Sequence, residues 1–494
     1  MQGALKASYL SNILYSFVKF VRKAKEDGIE DFFRKDLPFK SPWINLKGTL
    51  EKMAQNGIRS LKESSTTDIC EICNSLVTLG IKKPEFFEEA EKQLLKKGLA
   101  DPDECLTIAR AFSKAGYGAT NPFYDQIRTV IIQNIEEIDL PDLGDIVRLL
   151  SKSEQMTDDF LEAIAKETRN RGNSREIDKT ELVNTVIAIG DGYCKVGKKT
   201  ESTKQTCEAL FESVASKTVA EKAPNHQNMA NLSLLYAKCK LLNPAFFEKL
   251  KGFLLSKPAA FESEILAAMI WAFTSLDLMD APVFEVIRGY IFPEKGLSFM
   301  GLGNVLMTAA SLGCDYSKIE HLFEHSDENA KTISFDAMNS IYHALLYYGI
   351  QNPKLIEKFP KLKARILEAI PVWKQNHPKP SKLHITIEAA LKAKSILIAT
   401  FEQEYCAFGY HLDMAAPAHN IAIEINGTWA HKYGKKLEAV RTAILSSWGW
   451  QIFTIEEADW NQCKTPEEKD QFIEKFRKLI TEAVRKKPEQ KVSK

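Results

Sequence analysis

Apolar and polar positions over the first three quarters of the chain follow helical spacing, and the helices they predict repeat. A short polar connection followed by a bulky apolar pair recurs in "KKPEFFEEAEKQLL", "ATNPFYDQIRTVI" and "MTDDFLEAIAKET", which sets Phe87, Tyr124 and Leu161 37 residues apart. "TCEALFESVASKT", "LNPAFFEKLKGFL" and "DAPVFEVIRGYI" set Leu210, Phe247 and Phe284 at the same interval of 37. Ile319 follows 35 residues after Phe284, and Ile356 another 37 later. The interval from Leu161 to Leu210 is 49, and a polar insertion around "NRGNSREIDK" or "GKKTESTKQ" accounts for the extra 12 residues. Each unit also contains an earlier apolar run, such as "TIARAFSKAGY" or "NLSLLYAKCKL", that ends in a tight connection. Pro or Asp then stands where the second helix starts, as a first-turn or capping residue should. A helix pair cannot bury its apolar face alone, so about eight helix-turn-helix units of period 37 predict an α-solenoid over residues 45–375.

The pattern changes after "PVWKQNHPKPSKLH", a Pro- and Lys-rich boundary. A helix is predicted over "ITIEAALKAKSILIATFEQEY", then two strands, "GYHLDMA" and "NIAIEIN". Period-two alternation puts Ile421, Ile423 and Ile425 on one face of the second strand and Ala422, Glu424 and Asn426 on the other. His411 and Asp413 share a face of the first. Leu437, Val440, Ile444 and Trp448 form the apolar stripe of a following helix, with Arg441 at its edge, where a charge needs a partner. A strand "WQIFTI" and a final helix from Glu467 complete an order α–β–β–α–β–α over residues 381–483, and residues 484–494 form a polar basic tail. The fold class is therefore mainly α, with a small mixed α/β module at the end.

Composition narrows the function. The chain has 494 residues, 45% hydrophobic and 27% charged, and contains no run of 18 apolar residues, so no membrane span is expected. Nine cysteines scattered through helical sequence read as reduced thiols, and the Cys70–Cys73 pair as buried helix positions. A net charge of +1 counts against binding to nucleic acid through bulk charge alone and leaves local basic patches; from Ser381 onward 17 basic residues face 15 acidic ones. The first 25 residues hold five Lys or Arg and no acid, with Leu5, Tyr9, Ile13, Phe17 and Phe20 on one helical face. That is the composition of a mitochondrial-type targeting segment; a basic first helix docked on the array is the other reading.

"LDMAAP", "AIEINGTWAH" and "SSWGWQIFTIEEADW", in that order, make residues 381–483 resemble the RAP domain, a module named for RNA binding and abundant in apicomplexan parasites. The upstream period resembles the 37-residue helical repeats of organellar RNA-binding proteins, relatives of pentatricopeptide arrays, which track single-stranded RNA. The RAP fold in turn resembles the PD-(D/E)XK nucleases. That resemblance implies a vestigial or active catalytic set of Asp413, Glu424, Asn426 and Glu402 (or Glu404), with Asp413 and Glu424 holding Mg²⁺ only if the nuclease is active and no cofactor otherwise. Asn426 stands where the nuclease triplet has Lys, which leaves the motif incomplete, and a buried Glu424–Arg441 pair is the alternative role for that acid. Trp429, His431, Lys432, Lys435, Lys436 and Arg441 are the expected RNA contacts. The resemblance implies an RNA-binding protein of the mitochondrial matrix, or alternatively the plastid, acting in RNA processing or translation on ribosomal or messenger RNA. As a ribonucleoprotein component it would stabilise ribosomal RNA beside mitoribosomal proteins. A metal-dependent endoribonuclease and a protein scaffold without RNA contact are the competing expectations.

Overall fold

The computed structural model describes residues 7–26, 42–174, 177–197, 199–221, 224–291, 296–375, 380, 382–394, 401–426 and 434–486. The chain forms two compact units, Met1–Lys217 and Thr218–Lys494. Both are built mainly from stacked helix pairs. In the first unit the helices Thr66–Thr78, Pro102–Ala115, Leu140–Lys152 and Lys179–Lys195 each pack on the next, and Pro84–Lys97, Asn121–Gln133 and Asp158–Arg171 form a second layer. In the second unit His226–Cys239, Ser263–Ser275, Phe299–Ser311 and Phe335–Gly349 stack in the same way. The register residues Phe87, Tyr124, Leu161, Leu210, Phe247, Phe284 and Ile319 are all buried. Ring contacts link the helices: Phe87 meets Phe112 edge-on, and Phe112 stacks on Phe123 at 5.0 Å. The expected caps form, with Pro84 in the first turn of its helix, and Asn243 and Asp280 accepting from the amides of Phe246 and Val283.

Three expectations are corrected. The eighth unit is distorted: Ile356 lies half-buried in the short 3-10 turn Leu355–Lys358, and its helix begins only at Pro360, because the residue before a proline is pushed out of helical conformation. The extra residues after Leu161 fall within helices. They lengthen one helix pair, Lys179–Lys195 and Glu201–Val219, to 17 and 19 residues, against 13 and 14 in the pair before it. In the first helix, Ala7–Glu26, the buried face is Ser11, Leu14, Val18 and Val21, packed on Thr66–Thr78 with Ser11 Oγ donating to Glu71 at 2.7 Å. Tyr9 is 62% exposed and Phe20 49%, so the face is rotated from the expected one, and Leu5 lies outside the described residues.

Two arginines of the first unit join neighbouring repeats. Arg110 donates to Asp142 and Asp145 at 3.0 and 2.6 Å, and Arg148 reaches Asp145 at 2.9 Å and the Asn184 carbonyl at 3.0 Å. Cys70 and Cys73 are buried side by side in one helix, where burial pushes both thiols far up, and all nine cysteines are free. No helix among the described residues is long and apolar enough to cross a membrane.

The C-terminal module is a four-stranded sheet in the order β1 (Glu402–Ala407), β2 (Tyr410–Ala416), β3 (Ile421–Asn426), β4 (Gln451–Glu456). β1–β2 and β2–β3 are antiparallel, and β3–β4 are parallel, joined through the helix Lys435–Ser447. Lys382–Lys394 and Pro466–Lys486 contribute to a core on one face with Ile387, Met414, Ile421, Ile423, Ile455 and Ile473. On the other, Leu412, Ala422, Leu445 and Trp450 cluster. Residues 402–405 were expected to continue a helix and instead lie in a strand. The cause is the two-residue turn Phe408–Gly409, whose φ angles of 54° and 80° suit a tight hairpin back into β2. Trp448 also departs from its expected stripe and is 56% exposed: it follows the last helical residue, the chain turns through Gly449 at φ 82°, and Leu445 takes the buried position.

Removing residues 102–139, one whole helix pair, brings Asp101 to the start of the Leu140–Lys152 helix and Asp142 to the place of Glu104, which accepts from Thr67 at 2.6 Å. That protein should retain helicity and a cooperative thermal transition by circular dichroism. Removal of residues 102–119 alone, which leaves a second helix without its partner, should abolish the transition.

Candidate nucleic-acid interface

The helix Lys435–Ser447 lies against the first-layer helices Ser263–Ser275, Phe299–Ser311 and Phe335–Gly349. Its amino end is capped from the repeats. Asp277, held at φ 60°, accepts from the backbone amides of Gly434 and Lys435 at 2.9 Å each and of Lys436 at 3.1 Å. One carboxylate thus satisfies three of the four amides that a helix start leaves open, and its charge complements the helix dipole. The Lys436 ammonium donates to the Met279 carbonyl. A second contact seats the β1–β2 hairpin: His343 Nε2 donates to the Phe408 carbonyl at 2.9 Å, and its ring stacks on Tyr410 at 3.7 Å. Gly409 permits this approach, since a Cβ there would lie 2.4 Å from Asn339 Oδ1. Burial, reinforced by the Arg441 charge and opposed by the Phe408 bond, holds His343 down to about 3.

The sheet brings together the expected acids but divides them into two groups. Glu424 pairs with Arg441 at 2.8 Å, and Arg441 also donates to the His411 carbonyl at 3.2 Å and to Glu438 at 3.4 Å. Burial pushes Glu424 up to about 7 against the pull of the guanidinium, while Arg441, despite its burial, is held charged by Glu424 and Glu438. Asp413 turns the other way. It accepts from the Ile425 amide at 2.6 Å and lies 3.8 Å from His384 Nδ1, which is 3.7 Å from Glu404. Glu404 is pushed up to about 7 by burial, with the charges of Asp413 and Glu388 adding to it.

Asp413 and Glu424 each have one carboxylate oxygen committed, to Ile425 N–H and to Arg441, and keep the other for a further ligand. Asn426, at the place of the nuclease lysine, donates to Glu456 at 2.9 Å and supplies no cation. Glu402 is exposed on β1 rather than on a helix, and Glu404, its buried neighbour on the strand, stands beside Asp413. The group whose ligand atoms do converge is His384, Glu404 and Asp413, all within 4.8 Å of one another, a donor set suited to a divalent cation.

Of the expected RNA contacts, Trp429, His431 and Lys432 lie outside the described residues. Lys435 is exposed in the first turn of its helix, Lys436 is held by Met279, and Arg441 is buried with Glu424. What the sequence did not reveal is a cleft of about 730 Å³ between the repeats and the sheet, lined among others by Lys240, Trp271, Asn339, Tyr410, Lys435 and Glu456. Its repeat-side residues lie far from the module in sequence, and no local pattern marks them.

Stacked helix pairs carrying a four-stranded mixed sheet, with basic and aromatic side chains in the cleft between them, define the class of fold. The family comparison agrees: residues 423–476, from β3 through the Lys435–Ser447 helix and β4 into the last helix, match the RAP domain family model. The chain carries a RAP domain behind a region of many helices, and that domain suggests RNA binding in general. No curated protein sequence matches the chain.

Two predictions follow from the buried charges. Glu424→Gln leaves Arg441 buried beside a neutral partner and should cost about 3 kcal/mol in urea unfolding, whereas Glu424→Leu with Arg441→Met should come back close to wild type. His343, held below its ordinary value, binds fewer protons folded than unfolded between pH 6.5 and about 3, so the stability it lends is complete above pH 6.5 and is lost as the pH falls toward 3. Over the whole window that is on the order of 5 kcal/mol. Urea melts at pH 6.5 and 4 should therefore show wild type losing more stability than His343→Phe.

Proposed function

We propose that this protein binds single-stranded organellar RNA, holding ribosomal or messenger RNA in the mitochondrion as part of a ribonucleoprotein. The observation that carries the reading is the RAP match seated on stacked helical repeats. The near-neutral net charge of +1 fits local gripping over electrostatic coating, the behaviour of a stable component such as a mitoribosomal subunit. The basic, acid-free first 25 residues support the mitochondrial assignment. In organelle translation such a protein would keep an RNA segment in place rather than transform it.

Crosslinking in purified mitochondria followed by sequencing of bound RNA tests the reading directly, with ribosomal RNA fragments expected. In solution the full chain should bind single-stranded RNA with a shallow salt dependence, and Lys435→Ala should lower the slope by roughly 0.7, the value of one phosphate contact. Failure to recover or bind RNA would leave the protein-scaffold reading. A second reading, a metal-dependent endoribonuclease, is favoured by the convergence of His384, Glu404 and Asp413 within 4.8 Å. It requires Mn²⁺- or Mg²⁺-dependent cleavage by the same preparation that disappears in Asp413→Ala.

A further inference from the structure

Open α/β sheets bind ligands outside the carboxyl ends of their parallel strands, where helix amino ends also point. Here β3 ends at Asn426 and β4 at Glu456, and both residues line the cleft of about 730 Å³ together with Gly434 at the start of the connecting helix. The volume accommodates a nucleotide. The usual anion site at that helix start is taken, because Asp277 already holds three of its amides. A phosphate entering the cleft must therefore be met by side chains, and two ammonium groups are placed for it, Lys240 on the repeat side and Lys435 on the module side.

Lys251, Arg288, Lys318, Lys358 and Arg365 of the same unit each pair with a carboxylate, at distances from 2.7 to 3.4 Å. Among the described residues neither Lys240 nor Lys435 is in ion-pair contact with one. Lys240 also occupies a backbone position unsuited to it. It ends the helix His226–Cys239 at φ 54°, the left-handed conformation that glycine or asparagine adopts at less cost. Burial lowers its pKa, with Asp277 pulling the other way, as for an ammonium kept partly dry beside a ligand site. Trp271, half-buried on the helix Ser263–Ser275, supplies an aromatic wall, and Asn339, Asn426 and Thr454 supply donors and acceptors around it.

We infer that this cleft holds one nucleotide of a single-stranded RNA, its base against Trp271 and its flanking phosphates at Lys240 and Lys435. The inference rests on the RNA-binding reading above and adds that the repeats and the RAP domain grip the same nucleotide. Aromatic stacking is tolerant of base identity, so the grip is on strandedness more than on sequence.

The test uses the full chain, a fluorescent single-stranded RNA carrying 4-thiouridine, and three variants. Trp271→Ala should weaken binding roughly ten-fold, and Trp271→Phe should retain most of the affinity. Lys240→Gly removes the ammonium while suiting the left-handed backbone, so it should melt no lower than wild type yet bind several-fold more weakly, with a salt slope smaller by roughly 0.7. Photocrosslinks should map to the peptide containing Trp271. If wild type binds RNA but Trp271→Ala and Lys240→Gly bind equally well and the crosslinks map elsewhere, the cleft is not the site while the RNA-binding reading stands. If wild type binds no RNA, both are overturned.

Discussion

The carboxylate of Asp277 is the constraint on which the rest of the second unit is arranged. It sits after a first-layer helix, in a left-handed conformation, and takes three amide hydrogens at the start of a helix that begins 158 residues later. A helix start carries about half a positive charge and four open donors, so the array meets that requirement with an acid of its own. The Lys435–Ser447 helix is thereby fixed on the repeats. With it come β3 and β4, which it joins, and the hairpin that His343 and Tyr410 seat. The RAP domain is consequently part of the helical stack in that unit, and the cleft between them has fixed walls on both sides.

Occupation of the helix start by Asp277 changes how the module can deal with phosphate. In many α/β sites a glycine-rich turn and bare amides receive the anion. Here those amides are spent, and the burden passes to side chains that reach across from both parts of the unit. The acids of the sheet follow a similar logic. Glu424 is neutralised by Arg441 in a low-dielectric setting, where an unpaired carboxylate would be costly. Asp413 replaces a strand acceptor for Ile425 N–H and lies near His384 and Glu404, while Glu424 is paired with Arg441, so the two acids expected to share a metal keep different partners.

Much of the fold was legible because it depends on local periodicity. The 37-residue interval marks positions that must be buried when helix pairs stack, and seven of the eight registers are buried cores. The exception, Ile356, fails for a reason also visible in sequence, the proline at 360, whose effect on the preceding residues outweighed the repeat pattern. The Ile421–Ile423–Ile425 alternation and the Glu424–Arg441 partnership were legible for the same reason: strand parity and helix phase put each side chain on a definite face. The β1 strand was not, since "EQEYCA" continues a plausible helix until Phe408 and Gly409 turn it back.

The candidate site divides along the same line. Sequence alone determined the repeat period, the strand and helix faces of the module, and the residue types that handle phosphodiesters, because each depends on neighbours within a few positions. It placed the RNA-gripping charge on His431, Lys432, Lys435, Lys436 and Arg441 because they cluster in the chain. Only the tertiary structure decided that Lys436 is spent on Met279, and that Lys240 and Trp271 line a cleft with Lys435. Those pairings join residues more than 150 positions apart, and their geometry is set by how helix layers pack, which no local pattern encodes.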